Sequence, residues 1–404
     1  MIKIGIIGKT NTGKTTFFNA ATLLSAEVST YPFTTKQPNV GRAYVQTVCV
    51  CREMKVEDNP QNSICVDGWR FIPIELIDLP GLIKGAWKGR GLGTQFLSVA
   101  SQADALLHIV DASGSIDAEG NITRPGMGSP VSDIYDIEEE ITLWFSRTIQ
   151  KSKRKVVKQL RELKQTPDVA LAQVLAGLKV KHEHVKEALS MTDLGGKKFD
   201  GWSQEDFHHF ARDLRVLSKP TIIIANKMDL APAGENYERL REEFKKAIVI
   251  PSCSEAELAL KRAEQSGFIK YVPGEEAFKI INPGMLTEEQ RWALNYVQQR
   301  VLSKWISTGV QFALNLCIFK LLGMSAAYPV EDLKNLADKK GNKLPDVYLL
   351  PPNSTVKTLA TEIHSELART LIYAVDARTS VRLPSDYVVR DRDIIHIVSA
   401  TAKK

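Results

Sequence analysis

Gly8-Lys9-Thr10-Asn11-Thr12-Gly13-Lys14-Thr15 fits G-x-x-x-x-G-K-[ST], a loop that wraps phosphates with backbone N–H groups. The setting suits the motif. An apolar, strand-like run (IKIGII, residues 2–7) precedes it, and a helix-compatible stretch (KTTFFNAATLLS) follows. The glycines let the backbone close on the phosphates, and the helix adds its positive N-terminal end. Lys14 is expected to reach the β- and γ-phosphates and the Thr15 hydroxyl to ligate Mg2+, with Asn11, Thr12, Gly13 and Thr16 completing the cradle. Alone, the loop specifies only a nucleoside triphosphate, because kinases, ATPases and GTPases share it.

A second apolar run, Phe71 to Ile77, delivers Asp78-Leu79-Pro80-Gly81. Asp78 is the expected magnesium-side carboxylate, and the Gly81 N–H can approach the terminal phosphate. Between the two motifs lies Tyr31-Pro32-Phe33-Thr34-Thr35. A hydroxyl there could complete the magnesium shell, and from the residues alone Thr34 and Thr35 compete for it. Position 82 is Leu, where many regulatory GTPases carry a water-orienting Gln. Intrinsic hydrolysis is therefore expected to be slow or to depend on another group. Gly85, Gly89, Gly91 and Gly93 give a chain free to reorder with the nucleotide.

The base is read elsewhere. Thr221 to Ala225 ends at Asn226-Lys227-Met228-Asp229, the N-K-x-D pattern. A carboxylate at Asp229 can accept from N1–H and the exocyclic amine of guanine, donors that adenine lacks. Asn226 is expected to tie this loop to the phosphate loop, and Lys227 to lie along the base plane. Ser252-Cys253-Ser254 is a degenerate form of a further loop whose backbone N–H contacts the guanine oxygen.

These residues need strands to end at and helices to begin from. The chain has 404 residues, 44% of them hydrophobic, enough for two to four domains. Strand-like runs at Phe71–Ile77, Ala105–Val110, Thr221–Ala225 and Ala247–Ile250 read as buried parallel strands. From Ser113 to Leu217 the apolar spacing is helical, which predicts a helical insertion inside the nucleotide domain. A second helical stretch covers about Thr287 to Leu322. Strand-like runs at Val347–Leu350, Tyr373–Val375 and Ile394–Val398 then surround one helix, Val356–Ala368, in a small α+β domain. The five cysteines (Cys49, Cys51, Cys65, Cys253, Cys317) are scattered, with no Cys-x-x-Cys zinc spacing. Cys49-x-Cys51 alternates like a strand. No apolar run is long enough to span a bilayer, and the expectation is a soluble, cytoplasmic protein without a membrane partner.

Taken together, GKTNTGKT, YPFTT, DLPGLIKGAWKGRGLGTQF and NKMD resemble the Obg family of GTPases, and more specifically its YchF-like branch, over nearly the whole chain. The resemblance implies an α/β P-loop NTPase fold, with a Ras-like G domain at 1–112 and 217–286 and a helical insertion at 113–216. It also implies a helical linker at 287–327 packing on the G domain and a β-grasp-like TGS domain at 328–404. It favours Thr35 over Thr34, because the family keeps the second threonine, and so gives Lys14, Thr35 and Gly81 as catalytic and Thr15, Thr35 and Asp78 as metal ligands. The apolar residue at Leu82 agrees with the family. Asn11 matches an asparagine that helps hold a monovalent cation in potassium-stimulated relatives, which makes K+ a second candidate cofactor beside Mg2+. Several YchF-like members carry Glu in place of the last residue of N-K-x-D and prefer ATP, whereas this chain keeps Asp229. The favoured nucleotide is thus GTP. Cys253-Ser254 departs from the usual Ser-Ala.

The formal charge of +6 permits a polyanionic partner without requiring one. KSKRKVVKQLRELK (Lys151–Lys164) holds seven basic residues and one acidic one, with Val156, Val157, Leu160 and Leu163 at helical spacing. Its cationic face is either a solvated surface or a contact for RNA phosphates. The resemblance points to the ribosome, through this insertion or the TGS domain. The expected activity is hydrolysis of GTP to GDP and phosphate in a nucleotide-dependent switch. The alternative is an ATP- or GTP-gated, stress-related regulatory protein with little hydrolysis.

Overall fold

The computed structural model describes residues 1–22, 38–82, 85–88 and 98–400. Thr34, Thr35, Gly89, Gly91 and Gly93 lie outside these described residues. The chain divides into two compact units, one of residues 1–42 and 75–313 and the other of residues 43–74 and 314–404.

The first unit is built on strands β1 (Lys3–Ile7), β2 (Asn39–Val48), β4 (Trp69–Asp78), β5 (Ala105–Asp111), β6 (Thr221–Asn226) and β7 (Ile248–Pro251); β2 and β4 contribute residues to both units. The order is β2-β4-β1-β5-β6-β7, and β4, β1, β5, β6 and β7 pair in parallel. Every residue of β5 is buried, as expected of a central parallel strand covered on both faces. Each strand needs a crossover to reach its parallel neighbour, and these crossovers supply the helices: α1 (Lys14–Thr22) after β1, and α2 (Pro130–Lys151), α3 (Lys153–Glu162), α4 (Pro167–Leu175), α5 (His182–Met191) and α6 (Gln204–Ser218) between β5 and β6. They are followed by α7 (Ala233–Glu243) after β6 and α8 (Ser254–Gln265) after β7.

The predicted insertion is helical, but it does not form a core of its own. Ile7, Ile77, Leu79 and Leu82 share one apolar cluster with Ile141 and Phe145 of α2 and Phe210 of α6. Helix ends are set locally. The Ser129 hydroxyl accepts from Ser132 N–H at the start of α2, and Ser203 with Asp206 forms a capping box on α6. Beyond α8, the short strands β8 (Ile269–Lys270) and β9 (Lys279–Ile280) pair antiparallel, and helix α9 (Glu288–Val297) places Leu294 and Val297 in a cluster with Cys253, Ala256 and Leu260.

The second unit contains a sheet in the order β11-β10-β14-β12-β13, formed by Tyr348–Leu350, Ser325–Val330, Ile394–Ser399, Leu371–Asp376 and Arg382–Leu383. Strands β10 and β14 pair in parallel, and the other pairs are antiparallel. Helix α10 (Val356–Ile363) buries Val356 and Leu359 against the sheet residues Ala327, Leu350 and Ala374. The single helix predicted for Val356–Ala368 is interrupted. His364 turns extended (φ −166°, ψ 135°), and its ring accepts from Glu366 N–H to start a separate helix at Ser365–Thr370.

Residues 43–74, assigned from sequence to the nucleotide domain, group with the C-terminal unit. Arg70 contributes at side-chain level: fully buried, it reaches Leu344 O, packs over the Tyr328 ring and pairs with Asp58 at 3.0 Å, while Asn62 bonds Val347 and Glu53 pairs with Arg378. The strand expected through Cys49-x-Cys51 is not there. Cys49 is the N-cap, and Cys51 a member, of a short helix, Val50–Met54, ended by Lys55 in the left-handed region. Hairpin strand β3 (Ile64–Val66) then pairs antiparallel with β4.

Candidate nucleotide site

The phosphate loop leaves β1 at Gly8, where φ is 145° and a side-chain carbon would sit 2.2 Å from Ile109 O, so that only glycine fits. At Gly13 (φ 95°) such a carbon would strike Asn226 Nδ2 at 2.3 Å. The close approach exists because Asn226 bridges the two loops. Its Nδ2 donates to Thr12 O at 2.9 Å, and its Oδ1 accepts from Ser254 N–H at 3.1 Å and from the Ser254 hydroxyl at 2.9 Å.

Lys14 is buried at the first position of α1, with Nζ donating to Lys9 O. Burial lowers its pKa to about 8 despite the opposing pull of Asp78. The Thr15 hydroxyl donates to Asp78 Oδ2 at 2.8 Å, and Asn39 reaches the same oxygen at 3.3 Å. Asp78 Oδ1 is buried and has no hydrogen-bond partner among the described residues. Burial raises the Asp78 pKa, with Lys14, Thr15 and Asn39 holding it down. A buried carboxylate oxygen without a donor, next to a threonine hydroxyl, is a donor set that fits a hard, oxygen-preferring cation such as Mg2+. Gly81 lies against the phosphate loop, since a side-chain carbon there would sit 2.8 Å from Thr10 N. Leu82 is 3% exposed, its side chain in the core and its N–H on Gly8 O.

At the base loop, Lys227 (φ 65°) pairs with Asp111 at 2.9 Å, and Asp111 also holds Ser113 and Ser115. Asp229 Oδ1 accepts from the Cys253 thiol at 3.1 Å and Oδ2 from the Tyr296 hydroxyl at 3.4 Å. A carboxylate has about four lone-pair sites, so both contacts leave acceptor capacity. Burial, reinforced by Asp229, pushes the Cys253 pKa up. The N–H groups of Ser252, Cys253 and Ser254 are already donated to Ala225 O, Thr308 O and Asn226 Oδ1.

Several supports of the phosphate loop escaped the sequence reading. The Thr10 hydroxyl and Asn11 Nδ2 both donate to Gly120 O, at 3.1 and 2.9 Å, so the first loop of the insertion closes over residues 10–11. Gly120 (φ 88°) has no space for a side chain beside Thr10. Lys9 is buried in ion pairs with Asp133 at 2.7 Å and Asp136 at 3.0 Å on α2. Burial alone would lower the Lys9 pKa, but the two carboxylates outweigh it and raise it. Gly120, Asp133 and Asp136 are more than a hundred positions from their partners, beyond the reach of motif spacing.

The chain is similar to known proteins over nearly its whole length. The family profile described as 50S ribosome-binding GTPase matches residues 3–227, that of the Obg-like GTPase YGR210-like G4 motif-containing domain residues 224–332, and the TGS domain residues 338–399. A GTP-binding protein of Methanocaldococcus jannaschii is 45% identical over 99% of this chain and 100% of its own length. The ribosome-binding ATPase YchF of Bacillus subtilis is 30% identical over 97% of each chain. The solved structure of a GTP binding protein from Pyrococcus horikoshii superposes with a TM-score of 0.79 at 35% identity, covering 99% of this chain and 100% of that one. The Schizosaccharomyces pombe YchF GTPase shares the fold, with a TM-score of 0.56 at 18% identity over 98% and 97%. A P-loop between β1 and α1, an N-K-x-D loop bound to it through Asn226, and full-length likeness to these proteins place the chain in the Obg-like family of P-loop GTPases, as a YchF-like member with a TGS domain.

Proposed function

We propose that the protein binds GTP in preference to ATP, hydrolyses it to GDP and phosphate, and acts as a nucleotide-dependent switch on ribosomes or RNA in the cytoplasm. The observation that carries the base preference is the Asp229 carboxylate, half-buried at the end of the N-K-x-D loop and steadied by Cys253 and Tyr296. A guanine edge supplies two donors to such an acceptor, and adenine cannot.

In this reading Asn11, Thr12, Gly13 and Thr16 hold the phosphates through the loop backbone, and Lys14 exchanges its bond to Lys9 O for the β- and γ-phosphates. Gly81 brings its N–H against the terminal phosphate, and the Thr35 hydroxyl would sense that phosphate as it completes the magnesium shell. Thr15, Thr35 and Asp78 would hold Mg2+, which neutralises charge developing on the phosphate oxygens. Leu82 excludes water from the core instead of orienting it, which supports slow turnover until a partner or a K+ near Asn11 contributes. Asn226, Lys227, Asp229, Cys253 and Ser254 form the base end. Ribosome association is supported by the name of the B. subtilis relative and by the TGS match.

Calorimetry with GTP, GDP and ATP, in potassium and in sodium, tests the base preference. Turnover with and without ribosomes tests the switch. Equal affinity for ATP and GTP overturns the first part, and ribosome-independent turnover the second.

A further inference from the structure

Away from the nucleotide residues, the second unit gathers three of the five cysteines around one carboxylate. The side-chain ligand atoms of Cys49, Cys51, Asp58 and Cys65 all lie within 4.8 Å of one another. Cys51 Sγ and Cys65 Sγ are 3.8 Å apart, and Cys49 Sγ is 3.2 Å from Asp58 Oδ2. With Zn–S about 2.3 Å, a tetrahedral ion needs its sulfurs about 3.8 Å apart, which is the Cys51–Cys65 separation. Side-chain rotation of the order of an ångström closes the rest.

We propose that Cys49, Cys51, Asp58 and Cys65 form a structural Zn2+ site. The backbone brings these residues together by three different routes. Cys49 caps the Val50–Met54 helix and Cys51 sits in its first turn, Asp58 lies in the loop after Lys55, and Cys65 occupies the centre of β3 opposite Arg70. All four are removed from bulk water to differing degrees, Cys49 completely and Cys65 only partly. Three thiolates and one carboxylate match the soft, four-coordinate preference of a closed zinc site. They carry four negative charges. Zn2+ with the Arg70 guanidinium, 3.0 Å from Asp58 Oδ2, offsets three of them. Arg70 also fills the place of an outer-shell donor that orients a ligating carboxylate. The competing arrangement, protonated thiols around an Arg70–Asp58 pair, binds no metal. The linear pattern Cys-x-Cys-x6-Asp-x6-Cys concealed the site, because a short helix and a hairpin, not a zinc knuckle, bring the ligands together.

The test uses the full-length protein, kept reduced, stripped with a chelator, reloaded with zinc ion alone and freed of loose metal by gel filtration. Elemental analysis is expected to give one zinc per chain, and Co2+ in its place the visible absorption of a tetrahedral thiolate site. Cys65→Ser should weaken zinc binding more than about 100-fold, beyond what loss of an outer-shell group costs, while Cys317→Ser should retain the metal. The wild-type stoichiometry is read without any variant having to fold. Substoichiometric zinc, a Cys51–Cys65 disulfide in the purified protein, or zinc that survives Cys65→Ser would each overturn the proposal.

Discussion

Replacing Asn226 by Ala isolates the link between the base loop and the phosphate loop. The side chain is 3% exposed and makes three hydrogen bonds, one to Thr12 O and two from Ser254. A typical buried hydrogen bond contributes about 1 kcal/mol net, and each stranded partner costs about 1–3 kcal/mol unless water reaches it. Thr12 O and Ser254 N would both be stranded. Even after relaxation, at least about 2 kcal/mol of loop order should be lost, which corresponds to about 30-fold weaker nucleotide binding. GTP and GDP should suffer alike, since neither bond depends on the terminal phosphate. Asn226→Asp separates the two halves of the link. It keeps the acceptor for Ser254 but turns a second oxygen on Thr12 O, so it should also weaken binding if the Thr12 contact matters. Equilibrium titration with fluorescent GTP and GDP reads the affinity, and thermal unfolding without nucleotide confirms that the unit stays folded. Affinities within about threefold of wild type for both variants would refute the reasoning.

Asp229→Asn should lose roughly 2–4 kcal/mol of GTP affinity and gain relative affinity for the xanthine nucleotide, measured by competition binding; an unaltered preference would remove Asp229 from base reading. Lys14 has a folded pKa of about 8 against an ordinary 10.5, so between these values the native chain has shed a proton that the unfolded chain keeps, and stability of the free protein should rise with pH there. Triphosphate affinity should move the opposite way, falling up to about tenfold per pH unit above about 8, because binding must then restore the proton; a flat titration series would refute the assignment. Leu82→Ala should leave basal hydrolysis nearly unchanged while costing about 2–5 kcal/mol in denaturant unfolding, since its side chain is 3% exposed in the shared core. The basic stretch is split at Ser152, with Lys151 ending α2; on α3, Arg154 and Lys155 are exposed and have no ion pair among the described residues, whereas Lys158 pairs with Glu162 at 3.7 Å. Changing Lys151, Arg154, Lys155 and Lys158 to Gln should flatten the salt dependence of RNA or ribosome binding by about one unit per lost phosphate contact and leave GTP binding intact; an unchanged slope would make the helix a solvated face.

The strand and helix setting of each nucleotide motif was legible in the sequence because each motif carries its own local geometry. The residues from Gly8 to Thr15 turn from a strand into a helix, Asp78 ends a strand, and Asn226 to Asp229 end another, so spacing and apolar runs sufficed to place them. The helical character of the insertion followed from its apolar period, and the amphipathic α3 buries Val156 as expected, although Leu163 is exposed. Contacts between distant positions were decided only by tertiary packing. Nothing in the neighbourhood of Gly120 announces that its carbonyl seats Thr10 and Asn11, and nothing near Asp133 and Asp136 that they neutralise Lys9. The acceptors of the Ser252 to Ser254 N–H groups, Ala225, Thr308 and Asn226, belong to other segments and could not be read from the loop itself. Residues 43–74 read as part of the nucleotide domain because strands β2 and β4 run through them. Their grouping with residues 314–404 rests on contacts made across the intervening chain, among them the buried Arg70 with Asp58, Tyr328 and Leu344, Asn62 with Val347, and Glu53 with Arg378. The four ligand atoms of Cys49, Cys51, Asp58 and Cys65 likewise converge through a helix cap, a loop and a hairpin. Sequence spacing records separation along the chain, and a side chain's partners are set by separation in space.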